Sequence, residues 1–310
     1  MSSTPMTTEV QKMSSVTVRV PAKVNVQLSV GPLREDGYHD LVNVFHAVSI
    51  YDEVTARQAR SITVSVTGGW AAEVPLHDGN LAVRAARALA ERAGFGGGAE
   101  LVIHKAIPVA GGMAGGSADA AGALVACDEL WGLGLPRDDL MEIAAELGSD
   151  VPFSLLGGTA IGTGRGERLT PLPVGGPFHW VFAIADTGLS TPEVYKECDR
   201  LRGTAPVPEP QADEELLAAL RNGDAAALGR RLANDLQEAA LSLHPPLAGT
   251  LRSGLDAGTL GAIVSGSGPT CAFLAGDAAH AAELAGVLAA TPGTRTALPA
   301  EGPAPGATLI

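Results

Sequence analysis

An alternation of apolar and polar residues runs through the first part of the chain. Every even-numbered residue from 16 to 30 is apolar, whereas most odd-numbered residues are polar or charged. A period of two residues predicts a half-buried strand, or a pair of strands, with one face in the core. Pro21 is expected at an edge, a break or a bulge because it has no N–H to donate. Lys23 and Asn25 share the polar face, about 7 Å apart along the strand.

The remainder of the chain alternates between short apolar runs and helical periodicities. Gly31 to Gly37 indicates a turn. Strands are predicted at 45–50, 53–57, 62–66, 101–105 and 179–185, with strand-and-turn segments at 158–170 and 260–274. Helices are predicted from Asn80 to the glycines at 96–98, and at 117–131, 136–147, 213–221, 224–233, 246–257 and 277–289. Strands and helices occur in both halves, which predicts an α+β protein.

The segment 171–177 contains three prolines and two glycines, and we expect the domain boundary there. The predicted organisation is a disordered arm at 1–15, an N-terminal domain at 16–172 and a C-terminal domain at 178–295. Residues 296–310 are rich in proline and glycine and are expected to form a loose tail, with an edge strand as the alternative.

The segment from Pro108 to Ala121 contains four glycines within six residues, followed by Ser117 and a helical pattern. Glycine permits positive φ and close approach of a ligand to the backbone. The N-terminus of a helix adds unpaired N–H groups, so this loop suits an anion such as phosphate. The alternative is a plain flexible turn before a helix. A Walker A loop is excluded because no lysine precedes Ser117, and the G-x-G-x-x-G pattern fails because Met113 and Ala114 interrupt it.

Composition narrows the function without identifying it. The chain of 310 residues has a formal net charge of −13 and a pI near 4.9, which argues against a general nucleic-acid binder. The polar N-terminus resembles no secretory signal, and no apolar run reaches the roughly 18 residues of a membrane span. The three cysteines form neither a disulfide framework nor a zinc pattern. These features predict a cytoplasmic protein, and they leave its oligomeric state open.

The loop resembles the phosphate loop of the GHMP kinases, which phosphorylate small metabolites. Four further motifs match this family in order and spacing: P-A-K-V-N at 21–25, G-Y-H at 37–39, G-S-D-V-P-F at 148–153 and S-G-S-G-P-T at 265–270. The resemblance spans all but about the first and last fifteen residues. It implies an N-terminal domain like domain 2 of ribosomal protein S5 and a C-terminal ferredoxin-like α/β plait. The G-Y-H and G-S-D-V-P-F motifs imply a branch whose acceptor is a cytidine diphosphate-linked methylerythritol.

The resemblance also implies roles for particular residues. Asp150 would take the proton of the acceptor hydroxyl, and Lys23 would neutralise the transferred phosphate. ATP, with Mg²⁺, would lie on Lys105 and on the loop residues Pro108, Val109, Ala110, Gly111, Gly112, Met113, Ala114, Gly115, Gly116, Ser117 and Ala118. The acceptor would contact Asn25, Tyr38, His39, Thr191, Tyr195, Gly266 and Ser267, with the cytosine between the rings of Tyr38 and Tyr195. No residue is assigned as a ligand of the metal.

Each of these residues has an alternative that the sequence leaves open. Asp150 and Ser117 each stand where a helix N-cap is expected. Lys23 alone on a polar face would be a solvated lysine, and Lys105 is either a solvated strand end or a contact of ATP. Asp119 departs from the asparagine of some relatives, and its role is open.

Two other classes of function compete with a kinase. A diphosphate decarboxylase on the same scaffold also uses ATP and an aspartate, although the G-Y-H motif argues against it. A binding module without activity would be expected to lack either Lys23 or Asp150. Release of ADP without CO₂ would distinguish the three.

Overall fold

The computed structural model describes residues 15–310. The predicted arm at 1–15 therefore lies outside the described residues, except for Ser15, which begins the first strand. Within the described part of the chain, no helix is long and apolar enough to cross a bilayer.

Two unusually long strands form the frame of the N-terminal half. Strand β1 (Ser15–Leu33) pairs antiparallel with β2 (His39–Ala59). The alternating apolar residues from Val18 to Val30 are buried, as predicted, and Pro21 lies at a shift of register. The polar residues Lys23, Asn25 and Gln27 are buried as well, so the middle of β1 is covered on both faces. The two strands predicted at 45–50 and 53–57 are one continuous strand. Asp52 made the alternation look interrupted, yet its side chain is buried and bonded to the backbone.

The first sheet has the order β12-β1-β2-β4-β3, with β5 also paired to β2, β6 to β5 and β8 to β1. These additional strands are β3 (Thr63–Thr67), β4 (Gly98–His104), β5 (Thr159–Thr163), β6 (Arg168–Pro171), β8 (Ala233–Asn234) and β12 (Thr308–Leu309). Its helices are α1 (Leu81–Ala93), α2 (Gly115–Trp131), α3 (Arg137–Leu147) and α4 (Val151–Leu156). Helix α2 is apolar nearly all round because it packs against both long strands and α1.

The second sheet is antiparallel, with the order β11-β7-β10-β9. Its strands are β7 (Phe178–Ala185), β9 (Gly261–Val264), β10 (Cys271–Ala275) and β11 (Thr294–Gly302). The helices of this half are α5 (Thr191–Arg202), α6 (Glu214–Asn222), α7 (Ala225–Arg231), α8 (Gln237–Leu243), α9 (Pro246–Asp256) and α10 (Ala278–Ala289). One apolar core continues from the first sheet to Trp180 and Phe182 of the second.

The C-terminal residues do not form the loose tail predicted at 296–310. Residues up to Gly302 belong to β11, which pairs with β7, and Thr308–Leu309 return to pair with β1 of the first sheet. The alternative of an edge strand is therefore correct. Proline and glycine suggested looseness, but backbone pairing with two sheets fixes this segment.

Candidate active site

A cavity of about 830 Å³ opens between the two halves of the protein. One wall is the glycine loop, and the other consists of the turn after β1, the start of α5 and the turn after β9. The predicted residues that line it are Lys23, Asn25, Tyr38, His39, Ala110, Gly111, Gly112, Ala114, Gly115, Gly116, Ser117, Asp150, Thr191, Tyr195, Gly266 and Ser267. Residues that are distant in the sequence thus meet around one space.

The loop ends in a helix N-terminus that no side chain caps. Helix α2 begins at Gly115 after Ala114, which has a left-handed φ of 62°. Ser117 lies inside the first turn, so its expected N-cap role is wrong. The N–H groups of the first turn lack partners within the helix, because the first intrahelical bond runs from the N–H of Ala118 to the carbonyl of Ala114. This end of α2 can therefore receive an anion.

Not every loop residue faces the cavity. Met113 and Ala118 are fully buried in the apolar core behind the loop, and Pro108 and Val109 precede the part that lines the cavity. The side chains of Met113 and Ala118 therefore anchor the loop from behind, and the expected contact of these residues with ATP stays a prediction for their backbone. The sequence of the loop has no regular periodicity, so it could not predict which residues face the cavity and which face the core.

Lys23 lies at the junction of the two walls, and it is only 5% exposed. Its ammonium donates to Asn25 Oδ1 at 2.6 Å and to the Gly112 carbonyl at 2.8 Å, and it lies 3.6 Å from Asp150 Oδ2. Asn25 in turn donates to Asn43 Oδ1 at 2.7 Å. The alternative of a solvated lysine is therefore wrong. The polar stripe of β1 forms the floor of the cavity.

Burial and charge act on Lys23 in opposite directions. Removal from water lowers the pKa of its ammonium, while the Asp150 carboxylate raises it, and burial has the larger effect. A second negative group in the cavity, such as a phosphate, would favour the charged form further. The environment of Lys23 is thus suited to a ligand that brings negative charge.

Asp150 follows helix α3 and precedes α4, but its side chain does not cap α4. The carboxylate instead faces the cavity with about 30% of its side chain exposed. The capping alternative is therefore wrong. One oxygen lies near the Lys23 ammonium, which leaves the carboxylate accessible to a ligand that enters from solvent.

The wall opposite the loop carries aromatic rings and hydrogen-bonding side chains. The rings of His39 and Tyr195 stack with their centroids 5.5 Å apart, while Tyr38 is 52% exposed with Arg165 over its ring. Thr191 and Ser267 share a hydrogen bond of 2.9 Å, which joins α5 to the late glycine turn. His39 already covers one face of Tyr195, so a base could reach only the other face.

The contacts of His39 determine which of its nitrogens carries hydrogen. Its Nδ1 lies 2.9 Å from the carbonyl of Gly31, which can only accept, so Nδ1 is a donor. Its Nε2 lies 3.4 Å from Asp199 Oδ2 at the edge of the cavity. Asp199, Arg165 and Lys196 were missed in the sequence. These three residues lie outside the recognised motifs, so no sequence pattern pointed to them. The position of Lys196 and Asp199 after Tyr195 on the same helix was the one available indication.

Lys105 lies beneath the loop and does not line the cavity. Its side chain is 1% exposed and forms ion pairs with Asp52 and Asp119. The alternative of a solvated strand end is wrong, and the ammonium would have to leave these partners to contact ATP. Burial raises the pKa of Asp119 to about 8, Lys105 opposes this shift, and Asp52 adds to it. Asp52 could have been suspected, because it occupies an apolar position in the alternation of β2.

A glycine loop that ends in an uncapped helix N-terminus and faces a buried lysine and an accessible carboxylate suits phosphoryl transfer to a small molecule. Two family profiles match the chain: "GHMP kinases N terminal domain" at residues 80–158 and "GHMP kinases C terminal" at residues 216–292. A homoserine kinase from Cytophaga hutchinsonii has a similar structure, with a TM-score of 0.71 at 20% identity over 97% of this chain and 99% of that one. At this identity the likeness concerns the fold.

More similar proteins narrow the class. A 4-diphosphocytidyl-2-C-methyl-D-erythritol kinase of Streptomyces avermitilis is 62% identical over 96% of this chain and 100% of its own length. One from Thermobifida fusca is 60% identical over 96% and 99%. A crystal structure of a 4-(cytidine 5'-diphospho)-2C-methyl-D-erythritol kinase gives a TM-score of 0.74 at 34% identity, covering 92% and 98%. The chain belongs to the GHMP kinases, in the branch of the 4-diphosphocytidyl-2-C-methyl-D-erythritol kinases.

Proposed function

We propose that this kinase transfers the γ-phosphoryl group of ATP to the 2-hydroxyl of 4-diphosphocytidyl-2-C-methyl-D-erythritol, in the methylerythritol phosphate pathway to isoprenoid precursors. The observation that carries the proposal is the position of Lys23 and Asp150, where the loop and the opposite wall meet. A donor on one wall and an acceptor on the other would bring their reacting atoms to this pair.

On the donor side, the triphosphate lies along the loop from Ala110 to Ser117. The unpaired N–H groups of the first turn of α2 and the positive end of its dipole attract the phosphate oxygens. The Gly112 carbonyl, which would repel an anion, is already occupied by Lys23 and by the hydroxyl of Ser265 at 3.0 Å. The loop therefore offers mainly donors to its ligand.

In the transfer step, the oxygen of the acceptor 2-hydroxyl bonds to the γ-phosphorus. Asp150 accepts the proton that this hydroxyl loses. The bond between the γ-phosphorus and the bridging oxygen breaks, and ADP leaves with that electron pair. Lys23 balances the charge of the transferred group. Phosphoryl transfer depends on positioning and charge stabilisation, so these few groups suffice.

Mg²⁺ would enter as the complex with ATP. Residues 15–310 contain no group of three His, Cys, Asp or Glu side chains that could hold a metal ion. The residues of the cavity fit Mg²⁺ nonetheless, because this ion keeps several waters and binds largely through substrate phosphates. Bound there, the ion would neutralise charge on the phosphates. The residues of the chain then need only receive the complex.

On the acceptor side, the cytosine stacks on the exposed face of Tyr195, with Tyr38 over it. Asp199 Oδ2 presents an acceptor at the edge of the cavity, 3.4 Å from His39 Nε2. The exocyclic amino group of cytosine can donate to such an acceptor, whereas the carbonyl of uracil cannot. Arg165 and Lys196 lie on the same wall and would meet the diphosphate. This wall would therefore select the cytidine nucleotide.

The test is acceptor-dependent formation of ADP. Purified protein with MgATP should release ADP only when the cytidyl acceptor is added, and it should release no CO₂. The uridine analogue of the acceptor and the variant Asp150→Asn are the matched controls, and both should give far less ADP. ADP at background with the cytidyl acceptor would refute the proposal, and CO₂ would indicate a decarboxylase.

A further inference from the structure

Three ionisable side chains are buried together beneath the phosphate loop. Lys105, Asp52 and Asp119 are each at most 3% exposed, and none of them lines the cavity. The Lys105 ammonium donates to Asp52 Oδ2, to Asp119 Oδ2 at 2.7 Å and to the Gly115 carbonyl at 2.8 Å. These three bonds use all the donors of the ammonium.

The cluster joins three segments: the strand β2, the start of the loop and the first turns of α2. Asp52 belongs to β2, and its Oδ1 accepts the backbone N–H groups of Ala106 and Ile107 at 2.7 and 2.8 Å. Asp119 and Gly115 belong to the first turns of α2. Lys105 therefore ties the long strand β2, the start of the loop and its helical end to one point.

Gly115 is where this cluster reaches the cavity. The next two residues, Gly116 and Ser117, line the cavity with the first turn of α2. A Cβ on Gly115 would lie 3.0 Å from Lys105 Nζ and 3.1 Å from the Pro108 carbonyl. A side chain at residue 115 would therefore crowd the ammonium and the Pro108 carbonyl.

We propose that Lys105 is a positioning residue for the phosphate loop: anchored by Asp52 and Asp119, its ammonium holds the Gly115 carbonyl so that the first-turn N–H groups of α2 point into the cavity. The proposal rests on the proposed function, because it takes the loop as the ATP site. Lys105 acts on ATP through the backbone. We call the wall opposite the loop, which would bind the acceptor, the acceptor wall. None of the three residues of the cluster lies on it, so the affinity of the protein for the acceptor should be independent of Lys105.

Lys105→Met removes the ammonium and keeps a side chain of similar length. We expect the KM for ATP and the Kd for MgADP, measured by calorimetry, to rise about 10- to 100-fold, the range for a small misplacement of binding groups. The KM for the acceptor should stay near that of the wild type. Asp119→Asn is the conservative variant: its amide oxygen still accepts from Lys105, so nucleotide affinity should stay near that of the wild type. Arg92→Met, at an exposed ion pair on α1, is the surface control and should change neither constant.

Lys105→Met leaves two buried carboxylates without their partner and risks misfolding, so Gly115→Ala provides an independent test. It keeps every charge but places a methyl group against the ammonium, and it should give the same selective loss of nucleotide affinity. The proposal is overturned if folded Lys105→Met or Gly115→Ala binds MgADP like the wild type, or if both KM values rise together. A wild-type protein that binds MgADP but phosphorylates no acceptor would refute the proposed function alone.

Discussion

The loop wall and the acceptor wall of the cavity use different kinds of chemical group. The loop wall presents backbone N–H groups of α2, fixed from behind by buried apolar side chains and by the Lys105 cluster. The acceptor wall presents side chains, several of them exposed, on the turn after β1 and on α5. Backbone donors suit a phosphate that many nucleotides share, whereas side chains can distinguish one acceptor from another. Donor binding and acceptor selectivity should therefore be separable by mutation.

The largest effect is expected where the two walls meet. Asp150→Asn should lower kcat by roughly 10²- to 10⁴-fold, the usual contribution of a general base. The KM for ATP should change little, because the base does not hold the nucleotide. Steady-state kinetics with both substrates measures this. Asp138→Asn, an exposed aspartate of α3, is the control. Near-normal turnover by Asp150→Asn would remove that residue from the catalytic step.

The frame that holds the two walls together should be sensitive to acid. His46 of β2 is fully buried between Thr159 and the aromatic residues of β7, and burial lowers its pKa to about 4. Between pH 6.5 and 4, His46 is protonated in the unfolded chain but neutral in the folded chain. The free energy of unfolding therefore decreases as the pH is lowered through this range. The loss approaches about 3 kcal/mol, from 1.36 kcal/mol per pKa unit, and is complete below pH 4.

His46→Gln should remove this part of the pH dependence, and denaturant unfolding at pH 7, 5.5 and 4.5 measures it. His104→Gln, at an exposed histidine, is the matched control. Equal pH dependence in the wild type and His46→Gln would show that other groups account for the loss of stability.

On the acceptor wall, Tyr195→Ala should raise the KM for the cytidyl substrate at least several-fold. A stacked base contributes about 1–3 kcal/mol by alanine substitution. The KM for ATP should stay nearly unchanged because the ring does not touch the loop wall. Tyr195→Phe keeps the ring and should behave like the wild type. A rise in both KM values, or in neither, would make the ring structural and would remove the proposed cytosine pocket.

On the loop wall, the smallest effect concerns backbone strain. Ala114 has a φ of 62°, a left-handed conformation that costs a residue with a Cβ about 1–2 kcal/mol. Ala114→Gly relieves this, but the greater freedom of glycine in the unfolded chain offsets about 0.4–1 kcal/mol. We expect a net stabilisation of up to about 1 kcal/mol in thermal or chemical unfolding.

Ala282→Gly, at an exposed helical position of α10, should instead destabilise by about 1 kcal/mol. Equal destabilisation by the two substitutions would mean that Ala114 carries no strain in the folded protein.

The sequence predicted what depends on local pattern. The alternation of β1, the helices and the glycine loop follow from periodicity and from glycine content, and the predicted α+β class with GHMP kinase domains is confirmed. The order of the last strands could not be predicted, because pairing of Thr308–Leu309 with β1 is a contact between the two ends of the chain. The proline and glycine content there gave the opposite expectation.

For the site, motifs identified side chains but could not give their direction. Lys23 and Asn25 point into the cavity as the polar face of β1 suggested, yet Lys105, directly after β4, points away from it into a buried cluster. Which way a charged side chain turns depends on partners from other segments. For Lys105 these are Asp52 and Asp119, whose positions only the fold determines.

The proposed function requires one cavity to bring ATP to the hydroxyl of a cytidine diphosphate-linked acceptor. Phosphorus NMR of a reaction with MgATP and 4-diphosphocytidyl-2-C-methyl-D-erythritol follows both the donor and the acceptor in this step. We expect one new phosphomonoester signal, attached at the 2-oxygen and formed in equal amount with ADP, while the diphosphate bridge stays intact. ADP accompanied by inorganic phosphate alone, or a phosphate on another hydroxyl, would contradict it.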